Sequence, residues 1–205
     1  MNIEVENLGK RFNREWIFKK LTFLFEAGTT YAIIGPNGCG KSTLLQVLWG
    51  QLPQSAGTIK YTRSNHIVDG SDVFKQLSIA TPYMDLIEEF TLLEMVEFHF
   101  KFKKLRNGLS TNDFLELLEL EAAKNKTLDK FSSGMRQRVK LGLAFYSDVQ
   151  AIFLDEPTTN LDQASTKWYL KNLDSLPKDT LVFIASNQEH EYPHDAKKIE
   201  ILNYK

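Results

Sequence analysis

Cysteine is almost absent from this chain: Cys39 is the only one. An internal disulfide is therefore excluded, and the composition fits a reducing compartment. No apolar run approaches the ~20 residues that a helix needs to span a bilayer. The opening stretch Met1-Asn2-Ile3-Glu4-Val5-Glu6 has neither the basic nor the apolar region of a secretory leader. An excess of one charge is missing as well, with 26 acidic residues against 25 basic. Bulk attraction to nucleic acid or to anionic lipid is not expected from that balance. Internal repeats and low-complexity tracts are lacking. The 205 residues suffice for one sizeable core with a small subdomain, not for two full domains. The expectation is a cytoplasmic protein that can still dock onto a membrane partner.

What the chain does have is concentrated first between Tyr31 and Leu45. Apolar residues run into a glycine-rich turn, and an apolar-patterned helix follows. Gly35-Pro36-Asn37-Gly38-Cys39-Gly40-Lys41-Ser42, with Thr43 next, fits G-x-x-x-x-G-K-[ST], the phosphate-cradling loop of P-loop proteins. Phosphate oxygens must be met by several converging backbone N–H groups. Side chains would block that approach and some positions need positive φ, which accounts for Gly35, Gly38 and Gly40. The helix that follows points its positive end at the phosphates. Lys41 supplies a cation for the β- and γ-phosphates, and the Ser42 hydroxyl is suited to Mg²⁺.

Along the chain, Ile3 to Asn7 alternates as a strand and Phe18 to Glu26 as another, with a polar turn at Asn13-Arg14-Glu15 between. Thr30 to Ile34 is the strand before the loop, and the helix from Lys41 stops near Gly50. Further strands are predicted at Gly57 to Thr62, Leu77 to Ala80, Ala151 to Leu154, Thr180 to Ala185 and, marginally, Lys198 to Asn203. From Asp85 to about Leu120 the spacing turns helical, broken at Asn107-Gly108. Leu92, Met95, Val96 and His99 share one face, as do Phe114, Leu117, Leu118 and Glu121. More helix is expected from Phe131 through Phe145 and from Asp162 to Leu173. Alternating strands and helices imply a mainly parallel sheet covered on both faces. Gly35, Thr81-Pro82, Asp155 and Asn187 then lie on the edge where such sheets bind ligands.

Asp155-Glu156 ends the strand at Ala151 to Leu154. Adjacent carboxylates at the end of an apolar strand are costly unless a cation is near. Opposite the glycine loop that cation is Mg²⁺. Asp155 suits the metal or a water on it, and Glu156 suits a general base acting on water in line with the γ-phosphate. The competing reading is a helix cap or a surface acidic pair.

Phe131-Ser132-Ser133-Gly134-Met135-Arg136-Gln137-Arg138, followed by Leu154-Asp155-Glu156-Pro157-Thr158-Thr159-Asn160-Leu161-Asp162, resembles the ATP-binding subunit of bacterial ABC transporters. The resemblance covers nearly the whole chain. It implies an α/β P-loop NTPase fold: a mainly parallel sheet with flanking helices, an N-terminal antiparallel β part and a helical insertion. The whole of 1–205 would be one ATPase domain, with 1–84 and 148–205 as core and about 85–147 as the helical subdomain. The resemblance also implies that Phe12 stacks on adenine, a role for which a core phenylalanine is the competing reading. Ser132, Ser133 and Gly134 match the segment that meets the γ-phosphate across a dimer interface. N-capping is an alternative for the serines that does not exclude it. Asn160-Leu161-Asp162 matches the loop linking the two sites.

Three departures stand out. The usual Leu-Ser-Gly-Gly-Gln is here Phe131-Ser132-Ser133-Gly134-Met135. Tyr83 stands where the family has a metal-ligating, permease-coupling glutamine, and a phenol does not replace an amide carbonyl. Asn187 occupies the place of the switch histidine, where it can bond a phosphate oxygen but not titrate. His190 and His194 nearby are read as surface residues. The implied function is an ATP hydrolase with Glu156 and Asn187 as catalytic residues. Its cofactors are ATP and Mg²⁺; Ser42 and Asp155 hold the metal. Its partners are a second copy and an integral membrane permease, at the inner face of the cell membrane; nucleic acid is not among them. The alternatives are a soluble ATPase of the same superfamily or a slowly hydrolysing, nucleotide-gated dimerisation module. Phe90, Phe98, Phe100 and Phe102 are candidates for docking the permease, with burial in the core as the expectation for most of them.

Overall fold

Alternating apolar residues set up the first strand, β1 (Asn2–Phe12), in which Ile3 and Val5 point into the core. The alternation breaks at Asn7, whose φ of 49° makes a bulge. Leu8 is then buried in place of Asn7, and the strand continues to Phe12. The expected end at Asn7 is therefore corrected: the residue marks a change of face within one strand. β2 (Glu15–Phe25) starts three residues earlier than expected and pairs antiparallel with β1. β3 (Thr30–Ile34) and α1 (Lys41–Leu48) lie where the glycine-rich stretch predicts. β4 (Ala56–Arg63) pairs with β1, and the two-residue β5 (His66–Ile67) pairs with β4. A Cβ on Gly57 would lie 2.3 Å from the Glu6 carbonyl oxygen, so only glycine fits beside the bulge.

After β6 (Leu77–Ala80) come α2 (Leu92–His99), α3 (Thr111–Leu117) and α4 (Ser133–Tyr146). β7 (Ala151–Asp155), α5 (Gln163–Asp174), β8 (Leu181–Ala185) and β9 (Lys197–Glu200) complete the order. This computed structural model describes all 205 residues and has two units. The first takes in Met1–Leu77, Gln150–Asp155 and Pro177–Lys205. The second takes in Ser78–Val149 and Glu156–Leu176. The second unit thus includes Glu156–Leu176, which chain order alone leaves with the core. No helix is long and apolar enough to cross a membrane.

In the first unit, β7-β8-β3-β9 run parallel side by side. Such strands are buried on both faces and read as continuous apolar runs, as β7 and β8 do. A column of aromatic rings joins this sheet to the antiparallel one. Phe25 of β2 packs 4.9 Å from Phe183, and Phe183 stacks on Phe153 at 4.6 Å with a 6° interplanar angle. Trp49, just beyond α1, meets Phe153 edge-on at 5.6 Å.

In the second unit the helices are shorter than the periodicity suggests. α2 begins at a capping box, where Thr91 accepts from the Glu94 amide and the Glu94 carboxylate accepts from the Thr91 amide. Ser110 and Asp113 repeat the device on α3. The expected burial of the phenylalanines is overturned. Phe98 and Phe102 are exposed, Phe90 and Phe100 only half-buried. α2 is short, and its inward face is taken by Leu92, Met95 and Val96. Phe98 stacks edge-on between Phe90 and Phe102 and leaves an aromatic ridge.

His99 closes α2. The Ser147 hydroxyl donates to the Leu143 carbonyl at 2.6 Å, which leaves its oxygen to accept from His99 Nε2–H at 3.1 Å. Burial, aided by the Lys103 charge, pushes the His99 pKa down from 6.5 to about 4. Between those values the unfolded chain takes up a proton that the folded chain refuses, so stability falls as pH drops through this window. At pH 5 the loss attributable to His99 is about 2 kcal/mol. Urea unfolding of wild type and His99→Gln at pH 7 and pH 5 checks it. The variant should lose less stability than wild type by about that amount; equal losses would contradict the assignment.

Candidate functional site

Three parallel strands of the first unit deliver three candidate groups to one edge. β3 runs into Gly35, β7 ends at Asp155, and β8 runs through Ser186 into Asn187. Asp155 pairs with Ala185, which pairs in turn with Ile33, so these three residues sit level across the sheet. The Ser186 amide donates to the Ile33 carbonyl at 3.2 Å and extends that row. Asn187 Nδ2 then donates to Asn37 Oδ1 at 2.8 Å, which sets Asn187 against the glycine loop.

The loop itself holds Gly35, Gly38 and Gly40 at φ of 143°, 77° and 112°. Around Gly38 the space is open, so the dihedral there requires glycine. At Gly40 room is the constraint too: a Cβ would lie 2.4 Å from Ile17 Cγ2. Gly40 is the N-cap of α1 and carries no side chain to cap it. The first-turn amides of a helix have no partners within it, and here they open toward the loop. Lys41 is buried and donates to the carbonyls of Gly35 at 2.8 Å and Pro36 at 3.3 Å. Two of its three donors thus brace the loop and one remains for an anion. Cys39 turns inward beneath Gly35, and its amide donates to the Pro36 carbonyl. Its side chain therefore faces the core. Ser42 and Thr43 are half-exposed on the first turn of α1.

Asp155 is 2 % exposed. No group of three or more His, Cys, Asp and Glu side chains comes together anywhere in the chain, so no all-protein metal cage exists. Ser42 on the first turn of α1 and Asp155 at the end of β7 each carry a side-chain oxygen. Hard oxygen ligands in small number, with phosphate oxygens completing the set, are what Mg²⁺ takes in nucleotide sites. Phe12 ends β1 and is 46 % exposed, which excludes the core reading. The Lys10 ammonium lies 5.0 Å from its ring centroid.

In the second unit, Glu156 is exposed and held at φ 44°, a strained conformation for a residue with a side chain. The loop it opens is anchored from α4: buried Gln137 Nε2 donates to the Pro157 carbonyl at 2.9 Å. Ser132 caps α4, its Oγ accepting from the Met135 amide at 3.2 Å. The capping reading is correct, and the exposed hydroxyl keeps its own hydrogen to donate. A Cβ on Gly134 would lie 2.9 Å from the Asn160 carbonyl oxygen, so glycine lets α4 and the loop approach. Asp162 caps α5 by accepting from the Ser165 amide at 2.7 Å. Ser132, Ser133, Gly134, Asn160 and Asp162 share one cavity of about 380 Å³. Tyr83 is exposed, as are His190 and His194.

Sequence reasoning quotes Gln137 and Arg138 within the signature segment without a role for either, and passes over Ile17. Arg138 donates to Ser165 Oγ at 2.6 Å and to Glu119 at 2.8 Å, tying α4 to α5. Gly134, Gln137 and Arg138 fall at i, i+3 and i+4, so helical spacing from the glycine singles out both. Nothing in the sequence ties Ile17 to Gly40.

The family model described as ABC transporter matches residues 18–159, more than half of the chain. A spermidine/putrescine import ATP-binding protein of Fusobacterium nucleatum is 28 % identical over 98 % of this chain and 55 % of its own length. A linearmycin resistance ATP-binding protein of Bacillus subtilis is 28 % identical over 98 % of this chain and 63 % of its own. The chain thus spans little more than half the length of these relatives. Among solved structures, a Pyrococcus furiosus protein assigned as an ABC transporter ATP-binding protein superposes with a TM-score of 0.81 at 21 % identity. That match covers 100 % of this chain and 99 % of the other, and shows a shared fold.

Proposed function

The chain belongs to the ABC transporter family, and from that premise we propose that it binds and hydrolyses ATP to drive a membrane permease. The observation that carries the reading is the glycine loop of the first unit, with Lys41 braced on it and Asn187 bonded to Asn37. Backbone amides and Lys41 grip the triphosphate, and Phe12 supplies a flat face for the adenine. Mg²⁺, held by Ser42 and Asp155, would neutralise charge on the β- and γ-phosphates. Glu156 takes a proton from the attacking water, and Asn187 donates to a γ-phosphate oxygen.

Two copies share each ATP in this reading. The Ser132 hydroxyl, Ser133 and the start of α4 from one copy complete the phosphate site begun by the other copy's glycine loop. Contacts made only in the closed pair give the nucleotide the differential affinity that closure needs. Hydrolysis removes them and the pair opens. The aromatic ridge of Phe90, Phe98 and Phe102 is the surface offered to the permease, at the inner face of the membrane. Phosphate release by the purified chain with ATP and Mg²⁺ tests the activity. Turnover above the protein-free rate is expected, stimulated by the permease; none in either setting would remove the hydrolase reading.

A further inference from the structure

Glu156 holds a conformation that its own stretch of sequence disfavours. At φ 44° it carries a side chain in the left-handed region. Pro157 follows it, and a proline biases the residue before it toward extended backbone. Both preferences pull Glu156 out of the conformation it holds. Such a residue persists only where its surroundings fix it.

α4 supplies that hold. Gln137 is 4 % exposed, and its Nε2 donates to the Pro157 carbonyl at 2.9 Å. The bond is buried, where a hydrogen bond is stronger than in water. One turn back on the same face of the helix, Gly134 admits the Asn160 carbonyl oxygen, which a Cβ would meet at 2.9 Å. One face of α4 thus meets the loop at residues 157 and 160. Between those points the loop closes on itself. The Thr159 amide donates to the Glu156 carbonyl at 3.1 Å, and the Leu161 amide donates to the Thr158 carbonyl at 3.0 Å. Without Gln137 the Pro157 carbonyl loses its partner from α4, and the turn relaxes toward the extended backbone that proline favours.

We propose that Gln137 is a positioning residue for hydrolysis: its bond to the Pro157 carbonyl keeps Glu156 in the conformation from which the carboxylate meets the attacking water. The proposal rests on the hydrolase reading and adds to it a residue that acts only through Glu156. The two side chains then work as one unit, and losing the first cannot cost more than losing the second.

A double-mutant cycle in single-turnover phosphate release tests the assignment. Gln137→Met nearly conserves volume and helix propensity and removes the donor. It should slow phosphate release roughly 5- to 150-fold, the range set by unpairing a buried carbonyl, with ATP affinity unchanged. In the Glu156→Gln background the same substitution should change the rate by less than about twofold, because the group it positions is already gone. A merely structural role would slow both backgrounds equally. Gln137→Asn, whose shorter amide does not reach Pro157, should repeat the pattern and carries the test if Gln137→Met does not fold. Circular dichroism and ATP affinity report folding. Turnover equal to wild type in the 137 variants, equal slowing in both backgrounds, or loss of ATP binding in both 137 variants would overturn the role. Wild type and Glu156→Gln report separately on the reading beneath it: no turnover by wild type, or equal rates for those two, removes Glu156 as the base and this role with it.

Discussion

Glu156→Gln should bind ATP as wild type does and release phosphate roughly 10²- to 10⁴-fold more slowly, the usual contribution of a positioned general base. The substitution keeps size and hydrogen-bonding capacity but leaves no group that can take a proton from water at neutral pH. The backbone explains why the residue is a good place to test. A φ of 44° at Glu156 costs on the order of 1–3 kcal/mol. It persists because neighbours hold it: the Thr159 amide donates to the Glu156 carbonyl at 3.1 Å, and Gln137 holds Pro157. Glutamine inherits the same constraints, so a lost rate is a chemical effect and not a collapsed loop. Single-turnover phosphate release and ATP titration, run on both proteins, separate the two. Equal rates would remove Glu156 from its role and favour a module that dimerises on ATP and hardly turns over.

Lys41→Ala should lose ATP affinity by roughly 10- to 150-fold, from the ~1.5–3 kcal/mol that a hydrogen bond to a charged group contributes. The loss includes a second part. Lys41 braces the Gly35 and Pro36 carbonyls, so without it the loop is less well organised before nucleotide arrives. Alanine is the best helix former, so α1 itself should survive. Calorimetric titration with ATP measures the effect, and circular dichroism confirms the fold. Unchanged affinity would mean that the glycine loop is not the phosphate site.

The parts of this molecule legible in the sequence are those whose chemistry constrains the backbone. Gly35, Gly38 and Gly40 follow from what a phosphate-gripping turn demands, and β3 and α1 flank them as expected. The parallel strands were readable because burial on both faces forces continuous apolar runs such as Ile152 to Leu154. The bulge at Asn7 was not, because the alternation simply resumes on the other face. Nor was the exposure of Phe98 and Phe102. Their hydrophobicity is evident, but which face of a short helix the core covers depends on elements distant in sequence. Thr91-x-x-Glu94 and Ser110-x-x-Asp113 carried local signals for both helix starts that periodicity alone overran.

Sedimentation of Glu156→Gln with ATP and Mg²⁺ tests most directly that two copies close on shared nucleotide. The variant should sediment as a dimer with ATP and as a monomer with ADP, and Ser132→Arg introduced beside it should leave a monomer with both. A species of unchanged mass with and without ATP would contradict the account.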